Sequence, residues 1–207
     1  MRIARITRCR ADAARVRIYF EDRSYCKVDA LLAQRLGLEP GMEVDGEVLP
    51  ALSEDARRGA AREAAARILG RRSLSRWELI TKLTARGISE ADAQLAADWA
   101  EERGVVDDVA YAGQVARHYR LKGFGDARVR QELTRRGIDR ELIDQMLSQP
   151  VDMSEEILTF LRRKTRGEMP DADTIRRITE ALRRRGHSYE NIHAAFRALE
   201  IELEEWY

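Results

Sequence analysis

Three stretches of the chain can be laid over one another: Glu78-Leu79-Ile80-Thr81-Lys82-Leu83-Thr84-Ala85-Arg86-Gly87-Ile88-Ser89, Arg128-Val129-Arg130-Gln131-Glu132-Leu133-Thr134-Arg135-Arg136-Gly137-Ile138-Asp139, and Arg177-Ile178-Thr179-Glu180-Ala181-Leu182-Arg183-Arg184-Arg185-Gly186-His187-Ser188. In each, two apolar residues four apart (Leu79/Leu83, Val129/Leu133, Ile178/Leu182) share one face of a helix. A glycine follows Arg86, Arg136 and Arg185, as expected where the chain leaves a helix through a left-handed residue with cations at the helix's negative end. Two residues on, Ser89, Asp139 and Ser188 are natural N-caps, with Glu90, Glu141 and Glu190 in the turn that follows. A second helix therefore starts at once. Its buried stripe is Ala93/Ala96/Ala97, Ile143/Met146/Leu147 and Ile192/Ala195/Phe196 in the three copies.

Ahead of each pair lies a further helix-compatible stretch, at 61–69, 109–121 and 155–163, so each repeat is a three-helix unit. The breaks fall at 71–75, 122–125 and 166–171. The four prolines, Pro40, Pro50, Pro150 and Pro170, leave 51–149 free of the strongest helix breaker. Upstream, residues 15–20 alternate polar with apolar and 2–6 are β-compatible, which predicts strands with one buried face. Residues 21–24 suit a hairpin turn into a strand at 25–28. Asp29 can cap a short helix over 30–36 ended by Gly37, and Pro40-Gly41 turns the chain toward a strand at 43–49. The expected fold is mainly α: three tandem three-helix repeats in an elongated array, preceded by a small N-terminal α/β module. The expected segments are 1–52 for the module, then 53–106, 107–150 and 151–207 for the repeats, the last with an acidic tail at 200–207.

Composition limits the function. Of 207 residues, 35% are charged, and 37 Lys+Arg against 36 Asp+Glu leave a net charge of +1, which excludes a generic polycation. Only Lys27, Lys82, Lys122 and Lys164 are lysines; the rest of the basic residues are arginines, suited to bidentate contacts with carboxylate or phosphate, although a GC-rich genome also raises Arg. No stretch reaches the roughly 20 apolar residues of a membrane span and no signal-peptide core opens the chain, so no membrane contact and a cytoplasmic location are expected. Cys9 and Cys26 read as free thiols. Nucleotide-binding and zinc-protease patterns are absent, and His118, His187 and His193 lack metal spacing, so no cofactor, metal or catalytic residue is expected.

The candidate contact residues are the basic runs Arg71-Arg72, Arg135-Arg136, Arg162-Arg163 and Arg183-Arg184, together with Lys122 beside Tyr119 and Phe124. They suit phosphate or an acidic protein face; the plainer alternative is a solvated helix end. Trp77 and Trp99, on adjacent helices, read as core residues before base-stacking ones. Asp107-Asp108 reads as the cap of the helix opening the second repeat.

The pattern Ser75-x-x-Glu78-Leu79-x-x-Lys82-Leu83-x-x-x-Gly87, then Gly104-Val105-Val106-Asp107-Asp108-x-x-Tyr111-Ala112, then Gly125-x-x-x-Val129-x-x-Glu132-Leu133-x-x-x-Gly137-Ile138 resembles the RecX family, regulators of the RecA recombinase. The resemblance covers about 60–200; the first 50 residues match the N-terminal extension of longer members more loosely, and the third repeat departs most, with His187 where Ile88 and Ile138 stand. It implies a non-enzymatic modulator that binds RecA and lodges in the groove of the RecA filament on DNA. Filament growth, ATP hydrolysis, strand exchange and repressor cleavage would then be hindered, affecting DNA repair and the SOS response. A monomer suffices for that role. The competing expectations are a tandem helical protein that binds single- or double-stranded DNA without RecA, which predicts salt-sensitive binding, and a scaffold unrelated to recombination.

Overall fold

The structure is a computed structural model that describes residues 1–10, 12–148, 154–165 and 170–198. The acidic tail lies outside the described residues. The chain forms two compact units, one of Met1–Ser73 with Leu79–Val106, the other of Leu74–Glu78 with Asp107–Tyr207.

In the first unit β1 (Ile3–Cys9), β2 (Asp12–Phe20) and β3 (Tyr25–Asp29) form an antiparallel meander in that order. Alternation sends Val16, Ile18 and Phe20 of β2 into a core with Ile3 and Val28, while Arg17 and Tyr19 take the opposite face. In the β2–β3 turn Arg23 takes a left-handed φ of 69°, and the Asp22 carboxylate accepts from the Ser24 amide at 2.9 Å. Asp29 caps α1 (Ala30–Arg35), accepting from the amides of Leu31 and Leu32. The strand expected over 43–49 is not formed: Glu43 makes one isolated bridge to Arg2, and α2 (Val48–Leu69) begins instead. Pro50 falls in the first turn of α2, where an amide has no intrahelical partner to lose, so the proline opens the helix rather than ending an element before it.

The α2 helix carries the chain into the first repeat, packing against β3 and α4 (Glu90–Glu102). Arg15, 8% exposed, reaches Asp55 of α2 at 3.3 Å and lies across Gly59, where a Cβ would come within 1.9 Å of its guanidinium. The first repeat is completed by α3 (Arg76–Thr84), and buries Leu79 and Leu83 with the alanine stripe Ala93, Ala96 and Ala97.

The second unit holds the other repeats: α5 (Asp108–Leu121), α6 (Asp126–Arg135) and α7 (Arg140–Leu147), then α8 (Ser154–Thr165), α9 (Ala172–Arg184) and α10 (Tyr189–Ala198). Each has its own apolar core. Val129, Leu133 and Ile143 join Tyr111 and Val115 in one, and Ile178, Leu182, Ile192 and Phe196 join Ile157 and Leu161 in the other. The expected N-caps are in place. Asp107 accepts from the Ala110 amide at 2.9 Å, Ser89 from Asp92 at 3.1 Å, Asp139 from Glu141 at 2.8 Å and Ser188 from Asn191 at 3.2 Å.

The repeated glycines end their helices as the pattern predicts, at φ of 81°, 68° and 90° for Gly87, Gly137 and Gly186. The residue after each closes the same six-residue bond back into the helix, Ile88 to the Leu83 carbonyl at 3.3 Å, Ile138 to Leu133 at 3.1 Å and His187 to Leu182 at 3.2 Å. Around Gly87 there is open space, whereas a Cβ on Gly137 would sit 2.4 Å from the Trp77 Cβ. An alanine at Gly87 is therefore expected to cost about 1 kcal/mol through the left-handed backbone alone. At Gly137 the added overlap raises the loss to roughly 2–3 kcal/mol. Urea denaturation of the two variants measures the difference; equal losses would show that the close approach at Gly137 carries no energy.

Candidate functional site

Because the middle helix of each repeat (α3, α6 and α9) ends at a glycine, the basic residues before it emerge at a helix C-terminus, where the macrodipole favours cations. Their side chains then take two routes. Arg86, Arg135, Arg183 and Arg184 are exposed, while Arg136 and Arg185 turn inward.

In the first unit the end of α2 and one face of α3 enclose a cleft of about 450 Å³ lined by Arg67, Arg71, Arg72, Lys82 and Arg86 over a floor of Ala64 and Ile68. No carboxylate belongs to this lining. Arg71 and Arg72 were expected as contact residues; Arg67, Lys82 and Arg86 were not. Arg67 and Lys82 lie on α2 and α3, and Arg71, Arg72 and Arg86 on the turns that follow those helices, so the group is assembled by the packing of two helix ends and not by spacing along one helix.

In the second unit Glu132 of α6 gathers three arginines. Its carboxylate, on a residue only 3% exposed, receives Arg136 at 2.6 Å, Arg135 at 2.7 Å and Arg128 at 2.9 Å. Burial alone would raise the Glu132 pKa, but hydrogen bonds from Arg136, Arg135 and Tyr119 outweigh it and hold it at about 2. Burial likewise works against the charge on Arg136, and its bonds to Glu132, Tyr111 and Tyr119 raise its pKa all the same. The network runs on. The Tyr111 hydroxyl donates to Glu78 at 2.8 Å, the Ser75 hydroxyl to the Arg136 carbonyl at 2.5 Å, and Asp108 accepts from the Arg76 amide at 2.8 Å. Arg136 thus belongs to the packing of the unit, whereas Arg135, its side chain 69% exposed, still presents most of its surface to solvent. Trp77, expected in a core, is 51% exposed, because it sits at the start of α3 against the open side of Gly137.

The third repeat meets the second in the same register. The Gly125 amide donates to the Arg185 carbonyl at 3.0 Å and the Ala127 amide to Gly186 at 3.2 Å. Gly125 and Ser75 each stand twelve residues before their repeat's glycine, and each donates to the residue before the next repeat's glycine. His187 replaces isoleucine here without leaving the core. It is 6% exposed, its Nε2 lies 3.1 Å from the Gly123 carbonyl, and burial lowers its pKa.

Lys122 and Arg163 line one hollow of about 410 Å³, but Glu155 and Glu156 line it too, so its charge is nearly balanced. Arg185 sits there with its guanidinium 5.3 Å from the Phe124 ring and 5.0 Å from that of Phe160. Arg162 is exposed on α8. Arg183 lies 4.3 Å over the Tyr189 ring, and Arg184 is 3.8 Å from Glu180. The expected contact residues therefore do not form one site. Of the expected contact residues, Arg71 and Arg72 stand in a cleft that combines five cations with no acidic lining. Among the described residues no group of His, Cys, Asp and Glu could hold a metal, and no helix is long and apolar enough to cross a membrane.

Comparison with known proteins finds the same architecture. Family models described as the first and second three-helix domains of RecX match residues 61–98 and 107–147. The regulatory protein RecX of Vibrio campbellii is 31% identical over 138 residues, 66% of this chain and 89% of that protein. That of Pseudomonas entomophila is 36% identical over 135 residues, 64% and 87% respectively. A crystal structure of a regulatory protein RecX superposes with a TM-score of 0.74 at 20% identity, covering 95% of this chain and 98% of the other. RecX from Lactobacillus salivarius gives 0.65 at 19% identity, over 70% and 97%.

The depressed acidity of Glu132 sets a pH signature. Its contribution is complete above the ordinary carboxylate value of 4.5 and is lost as pH falls through about 2. Glu132→Gln should cost on the order of 3 kcal/mol at pH 7 and flatten the loss of stability between those values. Parallel acid limbs for variant and parent, by urea denaturation across pH, would contradict the network.

Proposed function

Because the chain belongs to the RecX family, we propose that it binds RecA and the RecA filament on DNA and restrains the recombinase, ATPase and coprotease activities of that filament. Its effect would then reach DNA repair and the SOS response. The observation that carries the contact itself is the cleft of Arg67, Arg71, Arg72, Lys82 and Arg86, whose lining holds no carboxylate on a chain of net charge +1. Such a surface attracts an acidic protein face or phosphate locally while the whole molecule does not adhere to every polyanion. Arg135, Arg162 and Arg184, exposed on the later repeats, supply further contacts. With the segments 53–106, 107–150 and 151–207 acting as linked modules after the 1–52 module, each docking raises the effective concentration of the next, so weak contacts suffice. The chain acts as a monomer in the cytoplasm and performs no chemistry of its own.

ATP hydrolysis by RecA on single-stranded DNA tests the proposal. The full chain should inhibit it; inhibition well below the amount of RecA indicates blocked filament ends, and near-equal amounts indicate a coated groove. Arg71→Ala, Arg72→Ala and Arg86→Ala combined should raise the concentration for half inhibition about tenfold or more, equivalent to at least about 1.4 kcal/mol, with an unchanged melting temperature. Full-strength inhibition by that variant removes the cleft from the contact, and absence of inhibition by the parent overturns the proposal. If instead the parent leaves RecA untouched but binds duplex DNA steeply weakened by salt, the direct DNA-binding reading replaces it.

A further inference from the structure

The meander of the first unit has one face in the core and another that the regulatory reading does not use. The strand register sets two rows side by side on that second face: Arg5, Tyr19 and Tyr25 across β1, β2 and β3, then Thr7, Arg17 and Lys27. No carboxylate belongs to either row, although Lys27 is ion-paired with Glu63 of α2, which leaves Arg5 and Arg17 as the cations of the face. Aromatic and cationic groups interleave closely. The Arg5 guanidinium lies 4.2 Å over the Tyr19 ring, Arg17 lies 5.2 Å over Tyr25 and donates to the Tyr19 hydroxyl at 3.1 Å, and the two tyrosine rings are 5.9 Å apart. Arg17 and Arg5 are exposed, and Tyr25 is 62% exposed, an unusual exposure for a ring of that size held on a sheet. Beside these rows a hollow of about 440 Å³ is lined by Thr7, Arg8, Cys9, Arg10, Arg17 and Lys27, again with no acidic member.

We propose that this sheet face is a binding platform for single-stranded nucleic acid, with an unpaired base stacked on Tyr25 and the backbone phosphates running over Arg17 toward Arg10 at the end of the hollow. An acidic protein segment would satisfy the arginines but has no use for an open aromatic ring. A paired base has its face covered by its neighbours in the duplex, which leaves an unpaired strand as the polymer that needs both groups. The arginines stacked on Tyr19 and Tyr25 hold their planes fixed, so little ordering is left to be lost on binding.

The test is fluorescence anisotropy of a labelled oligothymidylate with the full chain, in the absence of RecA, so that its outcome is independent of whether RecA is the regulated partner. The parent should bind, and bind a duplex of equal length more weakly. Tyr25→Ala should weaken binding about tenfold, Tyr25→Trp should restore it, and Arg17→Ala should reduce the slope of log affinity against log salt by about 0.7. Since Tyr25 is a surface side chain, an unchanged melting temperature separates these effects from unfolding. No binding by the parent, equal affinity for Tyr25→Ala, or displacement by polyglutamate no weaker than by unlabelled oligothymidylate would each overturn the assignment.

Discussion

The structure depends on a backbone constraint, a left-handed residue at the end of each repeat's middle helix. In the later repeats it must also lack a side chain. Gly137 is met by Trp77 and Gly186 by the backbone of Arg128, and a Cβ at either would fall within 2.5 Å of a neighbouring atom. This close approach lets the start of one helix satisfy carbonyls at the end of another. The Ser75 hydroxyl reaches the Arg136 carbonyl, and the Gly125 amide reaches that of Arg185. Those carbonyls belong to a helix's last turn and have no partner within it. One joint, built at the same register from a hydroxyl in one case and an amide in the other, thus settles both chain direction and hydrogen bonding.

The joint also decides what the arginines can do. Where the middle helix meets a neighbour, the residue before the glycine turns inward: Arg136 onto Glu132, Arg185 between the rings of Phe124 and Phe160. Glu132 is stable as a buried anion because Arg128, Arg135 and Arg136 surround it, and it keeps those cations from repelling one another. In the first repeat Lys82 stands at the position of Glu132 and Gly87 borders open space, so Arg86 is left outward and joins Arg67, Arg71 and Arg72 around the cleft. The same sequence position is structural in one repeat and available for contact in another.

Much of this is legible in the sequence. The apolar pairs, the glycines, the caps and the alternation of β2 follow from short-range rules and stand where periodicity puts them. What escaped depends on distant residues. Nothing local to Trp77 says that Gly137 will lie beneath it, and nothing at Arg136 announces that Tyr111, Tyr119 and Glu132 will close around it. The start of α2 was hidden because Pro50 reads as a break although a helix tolerates proline in its first turn. The cleft is not legible locally, because Arg71, Arg72 and Arg86 stand on turns after two helices whose ends only the packing brings together. Tyr19 and Tyr25 became a platform only when the strand register set them in one row.

The arginines divide into an exposed set around the cleft and a packed set at the joints, and side-chain reactivity reads that division directly. Arginine-specific labelling by phenylglyoxal, followed by mass spectrometry, would be applied to the full chain alone and on RecA filaments formed on single-stranded DNA. Arg71, Arg72 and Arg86 should react in the free chain and be protected on the filament, while Arg136 should stay slow in both. Labelling of Arg71, Arg72 and Arg86 at the same rate in both states, or ready labelling of Arg136 in the free chain, would contradict it.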